Sequence, residues 1–247
     1  MRKLILIGAA AAALLAPGAW AQDLAPEAVH DPWIKLNRAS FAVHEAIDKA
    51  ALGPAAKSYR TVTPSFFRSG VNNVLSNLAA PTTLANDLLQ AEPARAGTTF
   101  GRFMLNTTIG VGGLFDPASR MGLAQHTEDF GQTLARWGAP SGPYLFVPLV
   151  GPTNVRDLLA APVDLATNPL AYVKSGKDDV SPLAATGVVG ALAGREDLID
   201  QIATLRTSPD PYISYRSFAT VAREAAIANG RDTTQELPDY GVEPPPR

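Results

Sequence analysis

A chain of 247 residues, 46% of them hydrophobic, is long enough to bury a sizeable core in one compact domain. Its formal charge of −2, with no clustered basic stretch, excludes a nucleic-acid partner, because phosphate binding needs a concentrated basic surface. The sequence holds no cysteine, which excludes disulfides, thiolate metal ligands and a cysteine nucleophile.

Met1-Arg2-Lys3, the apolar run 4–15 and the small-x-small triplet Ala19-Trp20-Ala21 form an n-region, an h-region and a cleavage site. Residues 1–21 are therefore expected to be a secretory signal, and the apolar run is too short to span a bilayer, which takes about 20 residues. Losing Arg2 and Lys3 leaves a net charge near −4. Residues 22–31 read as a polar leader. Pro32 then suits the first position of a helix capped by Asp31, with Trp33, Leu36, Ser40, Val43, Ile47 and Ala50 on a buried face and Gly53-Pro54 ending it.

A short piece at 55–60 leads to a second apolar stripe, Phe67, Val71, Val74, Leu75 and Leu78. Pro81 is expected to close that helix and open another carrying Leu84, Leu88 and Ala91; Pro93 then opens a fourth with Phe100, Phe103 and Met104. Three glycines within residues 110–113 break the helical pattern, predicting a turn or packed crossing. A short helix with Phe130, Leu134 and Trp137 on one side follows. Prolines and glycines from 138 to 151 forbid a continuous helix, while 144–150 suits a short strand that Pro148 confines to a sheet edge.

Thr153 is the expected cap of a helix ended by Pro162. After a polar loop at 174–181, one long helix is predicted from 182 to 205, apolar all round in its first half. Ser208-Pro209-Asp210-Pro211 precedes a last helix over 213–228 with Phe218, Val221, Ala225 and Ala228 on one face and Asn229-Gly230 as its C-cap. The proline-rich tail 231–247 is expected to be disordered, so that residues 32–230 form a single helical domain.

The chemistry-bearing motifs are sparse. No G-x-S-x-G, H-E-x-x-H, G-x-G-x-x-G or P-loop sequence occurs. His126 stands three residues before Asp129, which either orients it as a general base or simply shares a polar helix N-terminus with it. Gly110 to Gly113 either cradles a phosphate through backbone N–H groups or forms a packing turn. Asp116 reads as a cap more than a metal ligand, since no second carboxylate stands at ligand spacing, and no metal or cofactor is expected. Arg156-Asp157 is an ion pair of undecided burial. Phe66-Phe67, Trp137 and Tyr144 are core residues by default, or else line an apolar passage or meet lipid.

Five segments, in order, resemble the MlaA (VacJ) family of Gram-negative outer-membrane proteins: DPWIKLNRASFAVHEAID from Asp31, SGVNNVLSNLAAP from Ser69, RFMLNTTIGVGGLFDPAS from Arg102, EDFGQTLARWGAPSGPYLFVPLVGPTNVRD from Glu128 and SPDPYISYR from Ser208. That resemblance implies an all-α, ring-shaped arrangement of short amphipathic helices around a central channel, lying in the inner leaflet of the outer membrane. It also implies a function: removing mislocalised phospholipids from the outer leaflet and handing them to a periplasmic lipid carrier, which maintains lipid asymmetry without enzymatic chemistry. The implied partners are phospholipid, the carrier and a trimeric porin. The alternative is a non-conducting, porin-associated structural protein. A hydrolase built on His126 and Asp129 is a third reading. Family members carry an acylated cysteine after the signal, whereas this sequence has Ala21-Gln22 there, so no lipoprotein anchor is expected.

Within that reading the channel or gate is assigned to the 138–151 hairpin, with Gly138, Gly142, Tyr144, Leu145, Phe146, Val147, Leu149 and Gly151. Val74 and Leu78, on the 66–78 helix, are candidates for a second wall.

Overall fold

The first helix, α1 (Ile34–Ile47), sets the character of the fold. Its buried residues are polar, Asn37 and Glu45, followed by Asp48 just beyond its end. Trp33, Leu36 and Val43, expected to face a core, are instead 44%, 62% and 51% exposed. The stripe has the helical period, but it faces outward. Asp31 does not cap the helix; it accepts hydrogen bonds from Asn37, Tyr212 and Arg216. The computed structural model describes residues 29–174, 176 and 179–229. The expected signal peptide, residues 22–28 of the leader and the 231–247 tail lie outside the described residues.

Gly53-Pro54 does not end the first helical segment. A π-helical turn (Asp48–Leu52) carries the chain into α2 (Gly53–Val62), with Pro54 in its first turn. Pro81 likewise fails to divide α3 (Ser65–Leu89), and Pro162 fails to end α7 (Val155–Thr167). Each proline forgoes one i→i−4 hydrogen bond inside a helix that neighbours hold in place.

After α4 (Pro93–Thr108) the glycine turn is a packed crossing: Gly113 has φ +92°, and a Cβ there would lie 2.6 Å from Cβ of Asn77. Asp116 caps the short α5 (Pro117–Arg120) and Asp129 caps α6 (Phe130–Arg136).

The expected strand β1 (Tyr144–Val147) pairs antiparallel with β2 (Gly151–Asn154), placing Tyr144 opposite Asn154 and Phe146 opposite Pro152. Thr153 is therefore a strand residue opposite Leu145, and Asn154 caps α7 in its place. A 3₁₀ turn (Pro169–Tyr172) follows. The long helix expected over 182–205 is interrupted at Leu198, giving α8 (Pro182–Asp197) and α9 (Ile199–Arg206). Asp210 caps α10 (Pro211–Ala228), which ends on Asn229 in the left-handed conformation, φ +55°.

Packing passes from α1 to the hairpin, then to α7, α3, α8 and α2, and returns through the π turn to α1. The helices thus form a ring. Its apolar core is small: Tyr144, Phe146 and Tyr212, with Val29, Phe41 and Ile213 against them, and Phe41 meeting Phe146 edge-on at 5.3 Å.

Ionic contacts close the rest. Arg195 of α8 holds Asp48 at 2.6 and 2.9 Å, and Arg206 of α9 donates to Glu45 at 2.7 Å and to Asp48. Burial pushes the Asp48 carboxyl up, yet the two guanidiniums bring it down to about 2. Asp48→Ala leaves both arginines without this partner and is expected to lower unfolding stability by about 3 kcal/mol in denaturant titration. Because the folded pKa is depressed, the wild-type contribution is complete above the ordinary carboxylate range and fades as pH falls toward about 2. The variant's deficit should shrink over that same acid window.

Candidate functional site in the ring cavity

The ring surrounds an open cavity of about 1180 Å³, large beside the ~300–1,000 Å³ usual for small-molecule pockets. The elements contribute different chemistry to it. From α8, α9 and α10 come mostly small or apolar side chains and backbone, among them Gly190, Ala191, Leu198, Ile202, Leu205 and Phe218, interrupted by Arg195, Gln201 and Glu224. From the cap of α6, from α7 and from the C-terminal half of α10 come Asp129, Arg156, Asp157, Asp164 and Arg223.

The charges are tied to one another. Arg223 donates to both oxygens of Asp129 at 2.6 and 2.7 Å, and its Nε lies 2.8 Å from Asp157. Arg156 Nε donates to Asp157 at 2.9 Å, while its Nη1 donates to the Ala139 carbonyl, fastening the approach to the hairpin. The undecided Arg156-Asp157 pair is thus a buried contact within a larger cluster. Burial lowers Arg223 but Asp129 and Asp157 raise it further; burial raises Asp129, and Arg223 overcomes that. Asp164 ends above the ordinary carboxyl value because burial and the Asp129 charge outweigh the hydrogen bonds donated by Phe130 N and Asn86.

Gly142, Tyr144, Leu149 and Gly151 of the predicted channel residues line this cavity. Phe146 is buried in the apolar cluster, whereas Leu145 and Val147 project from the other face of the strand and are half-buried. Gly138 is exposed just past α6 with φ +90°, and Val74 and Leu78 are half-buried on α3 outside the cavity wall. The wall residues of α8 to α10 and the Arg223 cluster were not identified in the sequence. Only the apolar stretch that opens α8 hinted at them, because the Arg223 partners lie 66 and 94 positions away.

His126 does not pair with Asp129. Its Nε2 lies 3.0 Å from both carboxylate oxygens of Asp87 and 3.1 Å from Thr99, beside a crevice of only about 40 Å³. Asp129 is committed to Arg223 and to the α6 cap. The hydrolase arrangement is therefore not formed.

The outer surface carries the apolar residues that a core would otherwise hold. Phe66 and Phe67 are 77% and 53% exposed, and Ile109, Val111, Phe115, Met121 and Trp137 are exposed as well. Of the aromatics considered for the core, only Tyr144 is buried.

Residues 29–226 match the pattern of the MlaA lipoprotein family. The chain belongs to that family. It is 36% identical over 202 residues to an uncharacterised protein of Rickettsia typhi, covering 81% of this chain and 78% of that one. It is 33% identical over 217 residues to the intermembrane phospholipid transport system lipoprotein MlaA of Escherichia coli, covering 85% and 83%. The Haemophilus influenzae protein of the same name is 30% identical, with 79% of each chain covered. A solved structure described as the structural basis for maintenance of bacterial outer-membrane lipid asymmetry superposes with a TM-score of 0.71 at 34% identity, over 81% of this chain and 99% of that one. The ring architecture is thus that of the MlaA fold.

In this MlaA-family ring the charged cluster depends on one glycine. A Cβ on Gly131 would stand 2.5 Å from Asp157 Oδ1 and 2.6 Å from Arg223 Nη2. Gly131→Ala is expected to push that pair apart and lower stability by about 1–3 kcal/mol in thermal or denaturant unfolding. Gly97→Ala, with nothing near the added methyl, is the matched control and should not destabilise.

Proposed function

We propose that this protein removes phospholipids that have strayed into the outer leaflet of the Gram-negative outer membrane, and passes them through its cavity to a periplasmic carrier. The observation that carries the reading is the inverted distribution of chemistry: large apolar side chains outside, ion pairs inside, and an open cavity of about 1180 Å³ lined by a mostly apolar α8–α10 surface and by paired charges. A phospholipid needs both walls. Exposing its acyl chains to water costs about 0.8 kcal/mol per CH₂, which the α8–α10 wall relieves, while the Arg223 cluster gives a polar headgroup surroundings that replace water.

No helix among the described residues is long and apolar enough to cross a membrane. The ring is suited to lying within one leaflet, its exposed aromatics among acyl chains and its cavity open to the periplasm. A trimeric porin is the natural scaffold to hold it there. The 138–151 hairpin, whose Gly142, Leu149 and Gly151 all have positive φ, is assigned as the gate beside the path. No bond is broken in this process, so the protein acts as a conduit.

Val150 is 70% exposed and lines the cavity. Val150→Asp places a charge on the acyl path at a position with room for it. Phospholipid is expected to accumulate in the outer leaflet and detergent resistance to fall in a deletion strain complemented with this variant; wild-type resistance at normal protein level would sink the assignment. Phe66→Asp with Phe67→Asp tests membrane seating separately. Liposome flotation of the purified double variant should recover roughly tenfold less protein than wild type, about the effect of losing a few buried apolar groups.

A further inference from the structure

The hairpin tip is held by a single titratable side chain. His44, on α1, is half-buried and stacks edge-on against Phe146 of β1 at a ring distance of 5.4 Å. Its Nδ1 accepts a hydrogen bond from the backbone N–H of Leu149 at 3.2 Å. A backbone amide only donates, so Nδ1 must be the unprotonated nitrogen and the ring is neutral, with its proton on Nε2. Leu149 itself has φ +69°, a left-handed conformation that a branched side chain rarely adopts, and its side chain is 60% exposed. The tip is thus strained and poorly packed, and beyond the turn itself the bond to His44 ties it to α1. His44 and Leu149 both line the cavity.

We propose that His44 is a pH-sensitive latch that holds the hairpin tip at the cavity wall while neutral and releases it when protonated. Protonation turns Nδ1 into a donor facing the Leu149 N–H, which removes the bond and opposes like dipoles. The strain at Leu149 then favours departure. The charged groups facing His44 are Glu45 beside it on α1, Asp48 in the π turn, Arg195 of α8 and Arg206 of α9; the hairpin, residues 144–154, contributes no charge. Burial is the largest influence and lowers the His44 pKa below its ordinary 6.5, with Asp48 and Glu45 opposing and the two arginines assisting. The latch is therefore closed at neutral pH and weakens as pH falls below that ordinary value, because the released state binds the proton more readily. The functional consequence, release of the gate, rests on the lipid-path reading above, but the latch is measurable without it.

The test is backbone hydrogen exchange of hairpin peptides in the full-length protein in lipid nanodiscs, at about pH 7.5 and about pH 5, corrected for chemical exchange. Wild type should lose roughly fivefold protection at the hairpin at the lower pH, the scale of one net hydrogen bond, with the α3–α4 pair unchanged. His44→Phe keeps the ring against Phe146 but has no acceptor, and should be deprotected to the same degree at both pH values. His44→Asn offers an amide oxygen near the Nδ1 position and does not titrate; it should restore protection and abolish the pH dependence. Equal hairpin protection in wild type and His44→Phe at about pH 7.5 would overturn the latch. Deprotection in His44→Phe with unaltered outer-leaflet lipid removal would uphold the latch and overturn the hairpin's role as gate.

Discussion

Asp48, 1% exposed between the guanidiniums of Arg195 and Arg206, is the contact on which the ring depends. It joins the first helical segment to two helices that follow it by about 150 residues, and Glu45 repeats the connection one turn earlier. Ion pairs of this kind are seldom net stabilisers relative to well-packed apolar groups, because desolvation offsets most of the attraction. What they supply here is direction. A bidentate arginine fixes distance and angle at once. Arg195, forked on Asp48, and Arg206, forked on Glu45 and reaching Asp48 through Nη2, hold the break between α8 and α9 in a single geometry. The bidentate construction recurs where Arg223 holds Asp129 while reaching Asp157, and single arginine–carboxylate contacts join Arg102 to Asp116 and Arg95 to Glu128.

This choice of fastening follows from where the apolar residues are. A ring with a wide opening has little interior volume to fill, and its one compact apolar cluster is built around Phe41, Tyr144, Phe146 and Tyr212. Leucine, valine and phenylalanine spent on the outer face are unavailable for a core. In water that arrangement would be costly, whereas in the proposed seat among acyl chains it would be favourable, the hydrophobic contribution coming from the ring's surroundings instead of its centre. Helices too short or too polar to span suit a body confined to one leaflet.

The periodicity in the sequence revealed which residues share a helix face but not which way that face points. Trp33, Leu36 and Val43 keep their three-to-four spacing, and so do Asn37, Glu45 and Asp48 on the opposite side. Spacing alone treats the apolar face as the inner one, which holds for a body in water and reverses here. Proline misled in a related way, since Pro54, Pro81 and Pro162 are all accommodated within helical segments. Backbone-determined features were legible: the glycine crossing at 110–113, the Asp116 cap, the helix start near Asp129, the strand at Tyr144 and the Asn229 terminus. The ordered series of motifs carried the fold itself. Of the site, the sequence disclosed the hairpin and not the opposite walls, because Arg223 and Asp164 acquire their partners only when α6, α7 and α10 meet.

The two halves of the hairpin environment differ in anchoring, a difference that suits the proposed conduit. Its base is anchored: Asn37 donates to the Tyr144 carbonyl and accepts from Phe146 N, Tyr144 N donates to the His30 carbonyl, and Arg156 holds Ala139. Its tip is tied to α1 through the His44 contact, with Leu149 and Val150 turned toward solvent and cavity. A wholly rigid hairpin would leave the cavity with one fixed cross-section, and a wholly loose one would expose apolar wall to water when no lipid is present. Anchoring the base with buried polar bonds while leaving the tip strained confines movement to the few residues beside the path. On the proposed lipid path, the ring would keep its ionic geometry while the hairpin tip adjusted to an acyl chain, which would join the ion pairs of Asp48 and the strain of Leu149 in one design.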